Sequence, residues 1–126
     1  MELSGPAKRL TIIVGEQDRA GHHSLATEIV HRAHSAGIAG ATVVRGIEGY
    51  GKSIHIHTTR ILSLSDDLPL MIVMVDAADS IERFLESVLP MVEGGLVTVE
   101  DVEVRHYSGH PLGDDPKPGE DRDLPE

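Results

Sequence analysis

An α+β fold follows from the order in which the hydrophobic period changes along the 126 residues: strand, helix, strand, strand, helix, strand. That order is the split βαβ pattern of a ferredoxin-like βαββαβ domain, an antiparallel sheet with both helices on one face. Such a sheet has a second face, and here the third strand is informative. Met71, Val73 and Val75 are as apolar as Leu70, Ile72 and Met74, so both faces need cover and the helices supply only one. The rest must come from other copies of the chain, and the pattern predicts an oligomer. It leaves open which of the two sets faces the helices. Two Tyr, one Phe and no Trp also provide few large anchors for an isolated core.

The elements follow in order. Lys8 to Val14 alternates as a strand, with Leu10, Ile12 and Val14 on one face. From about His23 the spacing becomes helical through Leu25, Ile29 and Ala33, and Gly37 is placed to stop it. Ala41 to Ile47 is the second strand and Leu70 to Val75 the third. In the second helix Ile81, Phe84, Leu85, Val88 and Val92 form the apolar stripe. Asp79 or Ser80 is its expected cap, Pro90 should distort its last turn, and Gly94-Gly95 should end it. The last strand runs from Leu96 to about Tyr107. Its apolar phase flips between Val97/Val99 and Val102/Val104, which predicts a bulge near Glu100-Asp101.

Composition narrows the functional classes. The length suits one domain, read as a flexible N-terminus (1–7), a folded unit (8–108) and a disordered, acidic, Pro-rich tail (109–126). A chain without cysteine has no disulfide, thiolate metal site or catalytic thiol. The first residues do not read as a signal peptide, and no apolar run approaches the ~20 residues that span a bilayer, so the expected location is cytoplasmic. The net charge of −10 argues against a nucleic-acid partner.

The chemistry concentrates where Val43-Val44-Arg45-Gly46-Ile47-Glu48 runs into Gly49-Tyr50-Gly51-Lys52. A β-branched strand entering such a turn presents bare backbone to a ligand, although glycines beside an aromatic also build ordinary turns. Gly49, Gly51, Gly94 and Gly95 offer N–H groups suited to anionic oxygens, with Lys52 and Arg105 as cations in an acidic protein. His55 and His57 stand two apart, so an extended Ile54–Thr58 would project both imidazoles to one side as an incomplete metal pair. Ser/His/Asp spacing, a Walker sequence and a nucleophile elbow are all missing. Asp66-Asp67 before Leu68-Pro69 is more simply a turn than an acid/base dyad.

The run from Leu10 to Tyr107 closely resembles an uncharacterised PII-like family, domain of unknown function 190. The resemblance lies in Gly40 through Gly51, Ile54-His55, His57-Thr58, Ser65 through Pro69, and Gly94 through Val102. It implies a ferredoxin-like protomer in a PII-type trimer whose open sheet faces pack about the three-fold axis. More distantly, Gly49-Tyr50-Gly51 is similar to the glycine-aromatic-glycine at the base of the PII T-loop, which lies against an adenine nucleotide, and Lys52 stands where a basic residue follows. Val99-Glu100-Asp101-Val102 resembles the last PII strand, after which arginines reach the phosphates; Arg105 is the arginine available there. The corresponding PII loop is longer and richer in glycine and charge than Val92-Glu93-Gly94-Gly95, so a nucleotide smaller or less charged than ATP fits more easily.

The expected function is therefore that of a non-enzymatic, trimeric PII-like regulator. It would bind a small effector, an adenine nucleotide, between subunits and require no cofactor. The loop from about Lys52 to Arg60 would meet a partner, for which the resemblance implies a membrane transporter or channel. A metal-binding trimer using His55 and His57, or a ligand-free adaptor, stands as the alternative.

Overall fold

The computed structural model describes residues 5–51 and 67–108. Within them, six strands and two helices follow in chain order: β1 (Gly5–Gly15), β2 (Arg19–Ala20), β3 (His23–Ser24), α1 (Leu25–Ser35), β4 (Thr42–Arg45), β5 (Pro69–Asp76), α2 (Ala78–Val88) and β6 (Leu96–Val104). The four long strands form one antiparallel sheet in the order β4-β5-β1-β6, the ferredoxin-like arrangement, while β2 and β3 make a small separate hairpin. Leu10, Ile12 and Val14 of β1 and Ile72 and Met74 of β5 are buried beneath Ile29 and Ala33 of α1 and Ile81, Phe84 and Val88 of α2.

The sheet's two faces differ as the sequence requires. Leu70, Ile72 and Met74 join the helix-side core, while Met71, Val73 and Val75 look the other way. Register places Ile13, Leu96, Val44, Val102 and Val104 on that same open side. The result is an apolar surface without a helical cover, in which Met71 is 37% exposed and Leu96 54%.

Several element boundaries depart from the sequence reading. Helix α1 starts at Leu25, two residues late, because Ser24 Oγ accepts the Thr27 N–H as its cap and His23 is held in β3. Its end is as expected: Gly37 has φ +82° and follows the last turn. Neither Asp79 nor Ser80 caps α2. Its N-cap is Ala77, whose N–H is taken by Asp76 Oδ1 at 2.6 Å, and Asp79 sits in the first turn, 3.6 Å from Arg83.

The end of α2 is also earlier. The chain tightens into a 3-10 turn, Leu89–Met91, around Pro90, so Gly94-Gly95 is not the helix stop. The expected bulge in β6 does not form either. Register with β1 is one-to-one from Ile13↔Leu96 to Gly5↔Val104, so the flip in apolar phase sends Val97 and Val99 to the helices and Val102 and Val104 to the open face. Strand β1 takes in Gly5–Ala7, read from sequence as flexible, because β6 extends far enough to pair with them. Strand β6 stops at Val104, short of Tyr107. Among the described residues no helix is long and apolar enough to cross a membrane.

Candidate functional site

At one end of the sheet β4 delivers the Gly-Tyr-Gly turn. The Gly46 N–H donates to Pro69 O at 2.7 Å, and Gly46 and Gly49 lie so close to the Pro69 ring that a Cβ at either would come within about 3 Å of it. These two glycines are explained by close packing against β5. Gly51 is different: among the described residues a Cβ there meets nothing within 4 Å, and its φ is not positive, so the described fold does not demand glycine. Tyr50 is 73% exposed beside it. Arg45 pairs with Glu16 at 3.1 Å, Glu16 N–H donates to Leu68 O, and Asp67 Oδ1 accepts the Gln17 N–H at 2.8 Å. Asp67 thus ties the start of β5 to the loop after β1.

Gly94 and Gly95 lie at the same end, immediately before β6. A Cβ on Gly95 would stand 2.4 Å from the Ile13 carbonyl oxygen and 2.9 Å from Val92 Cγ1, so this glycine is fixed by the approach of β6 to β1. Arg105 falls at the opposite end. Strand β1 runs from Gly5, opposite Val104, to Val14, opposite Leu70, a length of about 30 Å at roughly 3.3 Å per residue. One chain therefore brings Gly49–Gly51 and Gly94-Gly95 to one end of its sheet and holds Arg105 at the other.

The Arg105 end contains a feature the sequence reading missed. A groove of about 360 Å³, mostly apolar, is lined by Ala39 to Thr42, Val73 to Val75, Val104, His106 and Tyr107. The size suits part of a small organic ligand. Its wall is the turn from α1 into β4, and Tyr107 Oη reaches across to donate to Ala39 O at 3.3 Å. Gly40 in that wall has no neighbour within 4 Å of a built Cβ and no positive φ. The available signal was the same unexplained glycine, Gly40, standing before a strand.

Charge singles out Arg105 further. Lys8, Arg9, Arg32, Arg45 and Arg83 are all paired with carboxylates, and Arg19 donates to His22 O. Among the described residues Arg105 has no carboxylate partner. Two pairs shift titration: the hydrogen bond to Asp101 raises Lys8 above the usual lysine value, and that from Arg32 lowers Glu28 below the usual carboxylate value. Lys52, His55 and His57 lie outside the described residues, as does the acidic tail from Gly109. Among the described residues no group of three or more His, Asp or Glu is placed to hold a metal ion.

The model of the DUF190 family, described as an uncharacterised ACR, matches residues 7–104. The chain belongs to this family. A UPF0166 protein of Aquifex aeolicus is 36% identical over 97 residues, covering 77% of this chain and 91% of the relative. One from Methanocaldococcus jannaschii is 34% identical over 104 residues, covering 82% and 94%. Among solved structures, CPII of Thiomonas intermedia K12 bound to ADP, AMP and acetate has a TM-score of 0.56 at 25% identity over 84% of this chain and 94% of that one. The same protein bound to ADP, AMP and bicarbonate, called a nitrogen regulatory PII-like protein, has a TM-score of 0.53 at 27% identity over 80% and 90%. A Thermus thermophilus protein described as PII-like shares the fold, with a TM-score of 0.58 at 19% identity over 83% and 94%. This DUF190 chain is a PII-like protein in fold and family.

Proposed function

We propose that this DUF190 protein is a trimeric PII-like regulator that binds an adenine nucleotide at the clefts between its subunits. The observation that carries the reading is the apolar groove beside Arg105, an exposed cation without a carboxylate partner among the described residues, at the border of an uncovered apolar sheet face. Packing of those faces about a common axis covers Met71 and Leu96 and leaves the groove, whose Val73, Val75 and Val104 belong to the same face, at the seam where one subunit meets the end of another. The glycine turns and Arg105 are about 30 Å apart in one chain, so the complete site takes Gly49–Gly51, Lys52 and Gly94-Gly95 from one subunit and Arg105 with the groove from the next.

In this arrangement the groove takes the base and ribose, Gly51 and Gly94 expose backbone N–H groups to phosphate oxygens, and Lys52 and Arg105 supply charge. The CPII structures bound to ADP and AMP support the ligand class. The protein acts by binding and not by catalysis. The segment from Lys52 to Arg60 carries the bound state to a partner, for which the family resemblance implies a transporter or channel. Titration calorimetry with ADP and AMP tests the site. Wild type should bind, Gly51→Val should abolish binding by blocking backbone approach, and Arg105→Ala should weaken phosphate-bearing ligands with the assembly intact. Wild type that takes up no nucleotide at millimolar concentration defeats the reading.

A further inference from the structure

Asp76 is fully buried at the end of β5, and its two carboxylate oxygens do different things. Oδ1 accepts the N–H of the next residue, Ala77, the N-cap position of α2, at 2.6 Å. Oδ2 accepts the Ala39 N–H at 2.9 Å, across the fold, in the turn between α1 and β4. That local bond alone needs one oxygen, and Ser, Thr or Asn would supply it. A carboxylate is the short side chain that accepts from two backbone donors at once without bringing a donor of its own. The second bond calls for explanation, because a buried carboxylate is costly unless its partners hold it.

The held peptide is the wall of the groove. Ala39 N–H is fixed by Asp76 and Ala39 C=O receives Tyr107 Oη at 3.3 Å, so this residue is gripped from the sheet on one side and from the C-terminal segment on the other. Gly40, Ala41 and Thr42 follow directly, and all line the groove with Val75 and Tyr107. We propose that Asp76 is a positioning residue for the effector: through Ala39 it sets the groove wall at the spacing the ligand needs, and Tyr107 completes the clamp. Asp76 itself touches no ligand. The inference rests on the groove being the effector site.

The test uses the full-length chain and three variants: Asp76→Asn, Tyr107→Phe, and Ile29→Val as a core change under α1, away from the groove. Asn keeps one acceptor and turns an amide donor toward a backbone donor. With the wall no longer held in place, part of the binding energy goes into setting it, and ADP and AMP should bind about tenfold more weakly by calorimetry. Tyr107→Phe should weaken binding in the same direction while leaving the melting temperature nearly unchanged. The double variant should lose less than the product of the two, because both act on one peptide. Amide hydrogen exchange in the ligand-free protein should speed up at residues 39–42 in Asp76→Asn and stay at wild-type rate there in Ile29→Val.

If Ile29→Val, compared at equal loss of melting temperature, weakens binding as much as Asp76→Asn, then Asp76 acts through general stability and the proposal is overturned. Unchanged exchange at 39–42 in Asp76→Asn overturns it as well. Should wild type bind no nucleotide, the proposed function falls on that result alone, and the exchange measurement still decides whether Asp76 fixes this wall.

Discussion

Replacing Gly95 by alanine separates the two roles open to glycine in this protein, support of the chain and access for a ligand. The new Cβ would sit 2.4 Å from the Ile13 carbonyl oxygen, 2.9 Å from Val92 Cγ1 and 3.1 Å from Val14 Cγ1. An ordinary carbon–oxygen contact is about 3.3 Å, so β6 must retreat from β1 by close to an ångström. Ile13 cannot yield easily, since β1 is hydrogen-bonded to β5 on its other side. Overpacking of this kind costs roughly 1–3 kcal/mol, and a strained ladder bond adds about 1 kcal/mol. Alanine returns about 0.4–1 kcal/mol by restricting the unfolded chain, leaving a net loss near 2 kcal/mol.

For a folded unit of this size that loss is a fall of about 8–16 °C in melting temperature, read by circular dichroism at one fixed protein concentration. Gly51→Ala is the companion measurement. Among the described residues nothing stands within 4 Å of a Cβ placed there, so the fold should be unaffected or slightly stabilised. Should Gly95→Ala melt with or above Gly51→Ala, the close approach of β6 to β1 is wrong, and the division of the glycines between packing and ligand falls with it.

Three further outcomes follow from particular residues. Met71→Asp should lower the mass in light scattering from trimer to monomer with the protomer still folded, whereas Ile72→Asp should unfold the protomer because Ile72 lies wholly beneath the helices; a trimeric Met71→Asp would refute the use of the open face. A chain ending at Ser108 should keep its assembly and melting temperature, because the proline and acid content of the tail offers little apolar surface; a clear drop would show that it docks. Glu28 is lowered in the folded state by Arg32, so its stabilising pair is present above the unfolded carboxylate value and lost as pH falls through the folded one. Glu28→Gln should therefore be less stable than wild type at pH 7 and equal to it near pH 2, and a gap that persists in acid would remove the ion pair as its cause.

The fold was legible because period and order are local properties. The apolar third strand also pointed to a second apolar face, and register then assigned Met71, Val73 and Val75 to it. Boundaries were legible only where a residue acts on its own neighbours, as Gly37 does after α1. Pro90 likewise distorts the end of α2 as expected, and the Ser24 cap three residues before Thr27 was a local signal passed over, whereas the unbroken pairing of β6 depends on what lies opposite, which no spacing encodes. Glycine was the most ambiguous signal. Gly46, Gly49 and Gly95 prove to be packed against Pro69 or β1, and Gly40 and Gly51 are left as positions where the chain has no use of its own for a missing side chain.

That remainder bears on how the site works. Gly51 and Gly40 lie toward opposite ends of β4, and Arg105, between the groove residues Val104 and His106, belongs to the Gly40 end. A single protomer cannot close these around one small molecule, because the ordered sheet between them is rigid and its strands run in continuous register. Affinity for a nucleotide should therefore depend on assembly. A ligand that bridges two subunits favours the assembled form by mass action, and dissociation at the open face should remove binding even when every contacting side chain is intact. Met71→Asp makes this connection measurable, since Met71 does not line the groove. A monomeric Met71→Asp protein that binds ADP with wild-type affinity would place the whole site within one chain and refute a composite site, whereas loss of binding together with loss of the trimer is the result the geometry requires.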